Sequence, residues 1–186
     1  MAYKLIISRS ASSAKLFIVF FIYALTQSPS AASDTIETSG DYLQILIPAV
    51  ALSTELVSSN QEEFEFYRSF TANLLVTHAL KLSISKERPN GSDNNSFPSG
   101  HTSAAFQGAA FIHKRHGINY AIPAYIGATF VGYSRIEADK HDLKDVLAGA
   151  TIGFISSYYS DGIPGGFEIS PAVNQESIGI KLNKNW

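Results

Sequence analysis

Three clusters in the middle of the chain hold residue types that can act together: Lys81 with Arg88-Pro89, Pro98-Ser99-Gly100-His101, and Ser134-Arg135 followed by His141 and Asp145. The spacings are Lys-x6-Arg-Pro, Pro-Ser-Gly-His and Ser-Arg-x5-His-x3-Asp. A phosphomonoester carries nearly two negative charges, so a site for it needs groups that neutralise them. Arginine's planar fork can take two phosphate oxygens at once. Arg88 and Arg135 are therefore phosphate-binding candidates, with Lys81 as a point charge. Lys81 and Arg88 are seven apart, close to two helical turns, and share a face if the helix persists that far. Free N–H groups at a helix start favour an anion, which brings in Ser99 and Gly100. Ser99 can cap the helix or bond an oxygen, and Gly100 has no side chain to block close approach. His141 and Asp145 are four apart, hence neighbours on a helix face. A carboxylate on one imidazole nitrogen fixes the tautomer and leaves the other as a nucleophile. Taken singly, each feature has a plainer explanation: a solvated cation, a helix cap, a structural His–Asp hydrogen bond.

All three clusters are complete and in order between Lys81 and Asp145. The set resembles the three-part motif of the type 2 phosphatidic acid phosphatases (PAP2), a superfamily shared with vanadium haloperoxidases. The resemblance implies an all-α core with the site between helices, and metal-independent phosphatase chemistry with no cofactor. It implies that His141, oriented by Asp145, attacks phosphorus and forms a phosphohistidine. His101 would protonate the departing alkoxide and then activate water, while Lys81, Arg88, Ser99, Gly100 and Arg135 hold the phosphate. The two histidines then need opposite protonation, His141 neutral and His101 charged. The expected partner is a phosphorylated lipid, such as phosphatidic acid, phosphatidylglycerophosphate, an isoprenyl diphosphate or lipid A.

Three alternatives stand beside this reading. A soluble periplasmic acid phosphatase of broad specificity would use the same residues. So would a vanadate-dependent haloperoxidase, because vanadate mimics phosphate, although the short chain argues against it. A non-catalytic envelope protein would keep the fold, but the intact clusters argue against that. Lys86, Glu87, Asp139 and Asp142 fall outside the motif and read as surface or helix-start charges. His78 reads as core or as a supporting neighbour of the site. His113 and His116 suit a helix C-terminus, and without an acidic cluster beside them no metal site is expected.

The elements that must position these residues can be read from composition and periodicity. A chain of 186 residues, 45% apolar and 16% charged, fits one compact or membrane-associated domain. Its net charge of −2 gives no reason to expect nucleic-acid binding, and the absence of cysteine excludes disulfides and thiolate chemistry. Lys4, Arg9 and Lys15 precede an apolar run, Leu16 to Leu25, shorter than the roughly 20 residues of a membrane span. Ser30-Ala31-Ala32 then offers small residues for cleavage, so residues 1–32 read as a signal peptide for export to a bacterial-type envelope. Its removal takes three of the 14 basic residues and none of the 16 acidic ones, which leaves a formal charge of −5. Attraction for a phosphate must then be local.

The expected organisation is a helical phosphatase domain over residues 33–160 and a C-terminal extension over 161–186. Residues 33–41 read as a polar, mobile lead-in. Helices are expected over Leu43–Val57, with Pro48 near its start, and over Glu62–Ser85, with Phe66, Phe70, Leu74, Leu75, Val76 and Leu80 at helical spacing. Ser99 is the expected N-cap of a third helix running to about His116, stopped by Gly117. A fourth is expected over Ile118–Ile136 and a fifth from Asp142 to about Tyr159. In the tail, Ile178, Ile180 and Leu182 alternate with Gly179, Lys181 and Asn183, a strand-like pattern. Leu43–Val57 and Ile118–Val131 are apolar enough to touch lipid, so membrane association is expected.

Overall fold

The computed structural model describes residues 29–57, 65–159, 167–174 and 177–184. Among the described residues five helices form the body: α1 (Pro29–Val57), α2 (Glu65–Ser83), α3 (Gly100–His116), α4 (Ile118–Glu137) and α5 (Leu143–Tyr158). Two strands follow, β1 (Phe167–Asn174) and β2 (Ser177–Lys184), paired antiparallel with Phe167 opposite Lys184 and Asn174 opposite Ser177. The all-α bundle is as expected. The strand pattern in the tail proves to be the second half of a hairpin whose first half carries Pro171, a residue that weakens a strand signal. Most of the expected leader lies outside the described residues.

α3 is the hub and packs on all four other helices. Its small residues make this possible: Ala105 and Ala109 join Ile47 of α1 and Ala128 and Val131 of α4 in one buried cluster. A second cluster joins Ala51, Phe66, Phe111, Ile112 and Ala121. Against α5 the approach is closer still. A Cβ on Gly149 or Gly153 would overlap the main-chain oxygens of Ser99 and Ser103. That approach brings the first turns of α3 and α5 together, and the Ser99 N–H donates to the Asp145 carbonyl at 3.0 Å.

Two expectations about helices need correcting. The polar stretch 33–41 is not a lead-in but the first half of α1. Composition alone argued against helix there, but contacts with α4 hold it: the Arg135 guanidinium donates to the Glu37 carbonyl at 2.8 Å. In α2 the buried face is not the aromatic and aliphatic one. Phe66 is buried, but the rest of that face is Glu65, Ser69, Asn73 and Thr77, while Leu75 is 67% exposed. This face is a polar seam against α3. Gln107 donates to Ser69 Oγ at 2.9 Å, Ser103 to Asn73 Oδ1 at 2.6 Å, and Thr77 and Ser103 hydroxyls meet at 3.0 Å. Such paired polar groups fix the register of the two helices beyond the apolar contact of Phe66 with Phe111. The aliphatic residues are left facing outward.

Candidate active site

α2 ends at Ser83, so the helix does not carry Lys81 and Arg88 on one face. The chain after it turns back on itself instead. The Lys86 N–H donates to Asn94 O, Arg88 N–H to Asp93 O and Ser96 N–H to Lys86 O, all within 3.0 Å. In an extended segment residues two apart point the same way, and Lys86 and Arg88 both reach toward the start of α5. Arg88 is held by Asp93, Nε to Oδ1 at 2.8 Å, and its Nη1 lies 3.5 Å from His141 Nε2.

His141 sits in the turn between α4 and α5, fixed because its own N–H and that of Lys140 both donate to the Arg135 carbonyl. Asp142 caps α5 and forms a reciprocal capping box with Asp145. The helix-start reading of Asp142 therefore holds. The surface reading of Lys86 does not. Its ammonium pairs with Asp145 Oδ1 at 2.6 Å and with Asp142 Oδ2 at 2.7 Å. Asp145 is fully buried and also accepts from Ser96 Oγ at 2.5 Å and the Asp142 N–H at 3.2 Å. Burial opposes its charge, but these donors outweigh it and hold the carboxyl below the usual carboxylate range. They also leave His141 Nδ1 at 3.6 Å from Asp145 Oδ2, near but not hydrogen-bonded. With Arg88 as a donor, Nε2 keeps its lone pair and the ring proton belongs on Nδ1, toward Asp145.

Arg88, His101, Arg135, Lys140 and His141 line one cavity of about 580 Å³ together with Glu37 and Asp41 of α1. Arg135 is buried, and its Nη1 lies 2.9 Å from Asp41 Oδ1. The same Asp41 oxygen is 3.1 Å from His101 Nε2. His141 is only 3% exposed. Burial first, then Arg88 and Lys81, push its pKa down to about 4, with Asp145 opposing. Burial and Arg135 also lower His101, opposed by Asp41. Both histidines thus fall below 6.5, which keeps His141 neutral for attack but disfavours the charged His101 that the motif implies.

The other three motif residues take different places. Ser99 is buried and caps α3: its Oγ contacts Thr102 Oγ1 at 2.9 Å and accepts from the Thr102 N–H at 3.4 Å. Lys81 and Gly100 line an adjoining groove of about 660 Å³ between α1, α2 and α3. Lys81 donates to the Asn95 carbonyl at 2.7 Å, and burial, then Arg88, lowers its pKa. The groove is walled by apolar residues including Pro48, Leu52, Phe66, Phe70 and Leu74, and it shares Gln44 and Ile45 with the cavity. His78 lines it too. At the far end of α3, His113 Nδ1 meets the hydroxyls of Tyr158 at 2.9 Å and Tyr125 at 3.2 Å.

Sequence reasoning missed Lys86, Ser96, Lys140, Glu37 and Asp41. Glu37 and Asp41 carried a usable signal: carboxylates four apart share a helix face. That signal was hidden by reading their segment as non-helical.

A helical bundle with two histidines and two arginines converging on one cavity defines a class, and the comparisons agree on which. The profile of the PAP2 superfamily matches residues 16–160. The chain belongs to this superfamily, as its three motifs imply. It is 40% identical over 83 residues to a lipid A 1-phosphatase of Porphyromonas gingivalis, a match spanning 43% of this chain and 19% of that protein. It is 25% identical to a lipid A 4′-phosphatase of Helicobacter pylori, over 92% of this chain and 96% of that one. The crystal structure of LpxE from Aquifex aeolicus shares the fold, with a TM-score of 0.60 at 24% identity over 77% of this chain and 93% of that one.

Proposed function

We propose that this protein is a phosphatase that removes a phosphate from a lipid, with lipid A as the leading substrate class, through a phosphohistidine and without a metal ion. The observation that carries this reading is the convergence of His141, His101, Arg88 and Arg135 on one cavity that opens beside an apolar groove. Arg88 and Arg135 take the phosphate oxygens, and Lys81 adds charge from the groove side. Nε2 of neutral His141 attacks phosphorus as the P–O bond to the lipid breaks. The proton on Nδ1 turns to Asp145, whose charge stabilises the imidazolium that forms. His101 gives its proton to the departing oxygen. It then takes one from water, whose oxygen attacks the phosphohistidine and frees inorganic phosphate and His141. Fixed cations around the transferring group supply the electrostatic stabilisation such a step needs.

The lipid part of the reading is supported by the groove and by the outer faces of the helices. Tyr42, Ile45 and Leu46 on α1, Leu75 on α2 and Tyr120 and Ile126 on α4 are all exposed. Large exposed apolar area of this kind suits a membrane surface. No described helix is long and apolar enough to cross a membrane. The charged, then apolar N-terminus supports export, which puts the work on the outer side of the inner membrane. The two relatives act on different phosphates of lipid A by name, so both positions are candidates.

The test is phosphate release from bisphosphorylated lipid A and from phosphatidic acid, in detergent with EDTA, comparing the protein with His141→Ala. Release that persists in EDTA and vanishes in the variant supports the reading. Release that needs an added metal, or that survives His141→Ala, overturns it. Activity on soluble esters alone would move the assignment to a broad acid phosphatase.

A further inference from the structure

An acid must hold its proton when the substrate arrives, yet burial, Arg135 and Arg88 all work against a charged His101. Arg135 faces it from α4 and Arg88 from the segment after α2, while Lys140 and His141 line the same cavity and Lys81 flanks the neighbouring Gly100. Acidic groups reach this side of the cavity from α1, which contributes Glu37 and Asp41. Glu37 is turned to other partners, with Oε1 3.7 Å from Lys140 Nζ and 3.8 Å from Arg135 Nη1. Asp41 faces the ring directly, with Oδ1 at 3.1 Å from His101 Nε2. That oxygen is buried although the side chain is half exposed, and it lies between the two cationic groups, 2.9 Å from Arg135 Nη1, as an ion-pair contact to each rather than an aligned hydrogen bond. The contact depends on α1 lying close to α4 at Gly40, where a Cβ would be 2.8 Å from Ser134 Cβ.

We propose that Asp41 is the positioning residue of the acid–base histidine: its carboxylate lies against Nε2 of His101 and, by its charge, favours the imidazolium against the surrounding cations. The role named for His101 rests on the phosphatase reading; the Asp41–His101 pairing rests on the geometry alone. Asp41 lies in none of the three motifs. It is joined to them only because the first half of α1 is helical and sits over the site.

The experiment is a pH titration of the histidine ring signals by NMR on the purified full chain, with the His101 signal identified by its loss in His101→Asn. An opposite charge this close moves a pKa by about 1–3 units, so Asp41→Asn is expected to lower the His101 pKa by about one unit or more. Asp41→Glu should keep most of the native value. A His101 titration unchanged in Asp41→Asn overturns the proposal, and Asp41→Ser serves the same test if the amide variant does not fold. The descending, high-pH limb of kcat/KM should move to lower pH along with the ring. A limb that stays while the ring titration moves overturns the catalytic part. A wild-type protein inert on every phosphate ester refutes the phosphatase reading instead, and the ring titration still decides the pairing.

Discussion

Replacing Gly40 by alanine sets two effects of known size against each other. Alanine in a helix interior is favoured over glycine by about 1 kcal/mol. Against this, the added Cβ would overlap Ser134 Oγ and lie 2.8 Å from Ser134 Cβ and 3.2 Å from the Arg135 guanidinium. Carbon atoms prefer separations of about 3.5–4.0 Å, so α1 must retreat from α4 by about 1 Å. Ser134 cannot easily yield, since its hydroxyl donates to Val131 O at 2.8 Å and accepts from Arg135 Nε at 3.2 Å. Overpacking of this kind costs about 1–3 kcal/mol. The net loss is then about 1 kcal/mol, a fall in Tm of about 2–4 °C for a domain of this size. The loss of turnover should be far larger. A 1 Å shift of α1 stretches both Asp41 contacts and displaces the Glu37 carbonyl from Arg135, and misplacements of that size can cost about 100-fold in rate. Thermal unfolding and phosphate release on Gly40→Ala, Ser134→Gly and the double variant provide the assay. The alanine should cost less in the Ser134→Gly background, because the clash is gone. A Gly40→Ala protein as stable and as active as the native one would refute the close packing of α1 on the site.

Lys86→Met should destabilise the fold by about 1–3 kcal/mol, less than the 3–5 typical of a fully buried pair, because the lysine head is 31% exposed. The deficit should be largest near neutral pH and shrink as acid protonates Asp145, checked by denaturant unfolding at several pH values. On the proposed mechanism His141 must be neutral to attack and His101 charged to donate. kcat/KM should therefore rise with pH through about 4 and fall as pH passes the lowered pKa of His101, below 6.5. For stability, the depressed His141 pKa means the unfolded chain binds the proton first. That contribution is fully present above pH 6.5 and lost as pH falls toward 4, a change of about 3 kcal/mol that acid titration of Tm would detect. His101→Ala should slow esters with poor leaving groups much more than those with good ones. An equal loss for both would count against its role as acid.

The site was legible in the sequence to the extent that motif residues act through their own side chains. His101, Arg88, Arg135 and His141 meet in one cavity, and caps at Ser99 and Asp142 are read directly from residue type. What could not be read is what depends on another element. Lys86 looks like a surface lysine until the loop after α2 doubles back and sets it against Asp145. Asp41 and Glu37 sit in a polar stretch whose helicity comes from Arg135 and from the close approach at Gly40, and local propensity contains neither. The burial pattern of α2 failed for a related reason. Asn73, Thr77 and Ser69 are inside because α3 offers them Ser103 and Gln107, so hydrophobic periodicity pointed at the outward face.

On the proposed mechanism His141 carries the phosphoryl group. The most direct measurement mixes lipid A labelled with ³²P on its phosphates with the protein, quenches on the millisecond scale, and tests the protein for bound label. The mechanism predicts label that survives alkali, is released by acid, builds up in His101→Ala when the labelled ester has a good leaving group, and is absent in His141→Asn. Turnover of the labelled lipid with no protein-bound label in either the native protein or His101→Ala, or label retained in His141→Asn, would contradict it.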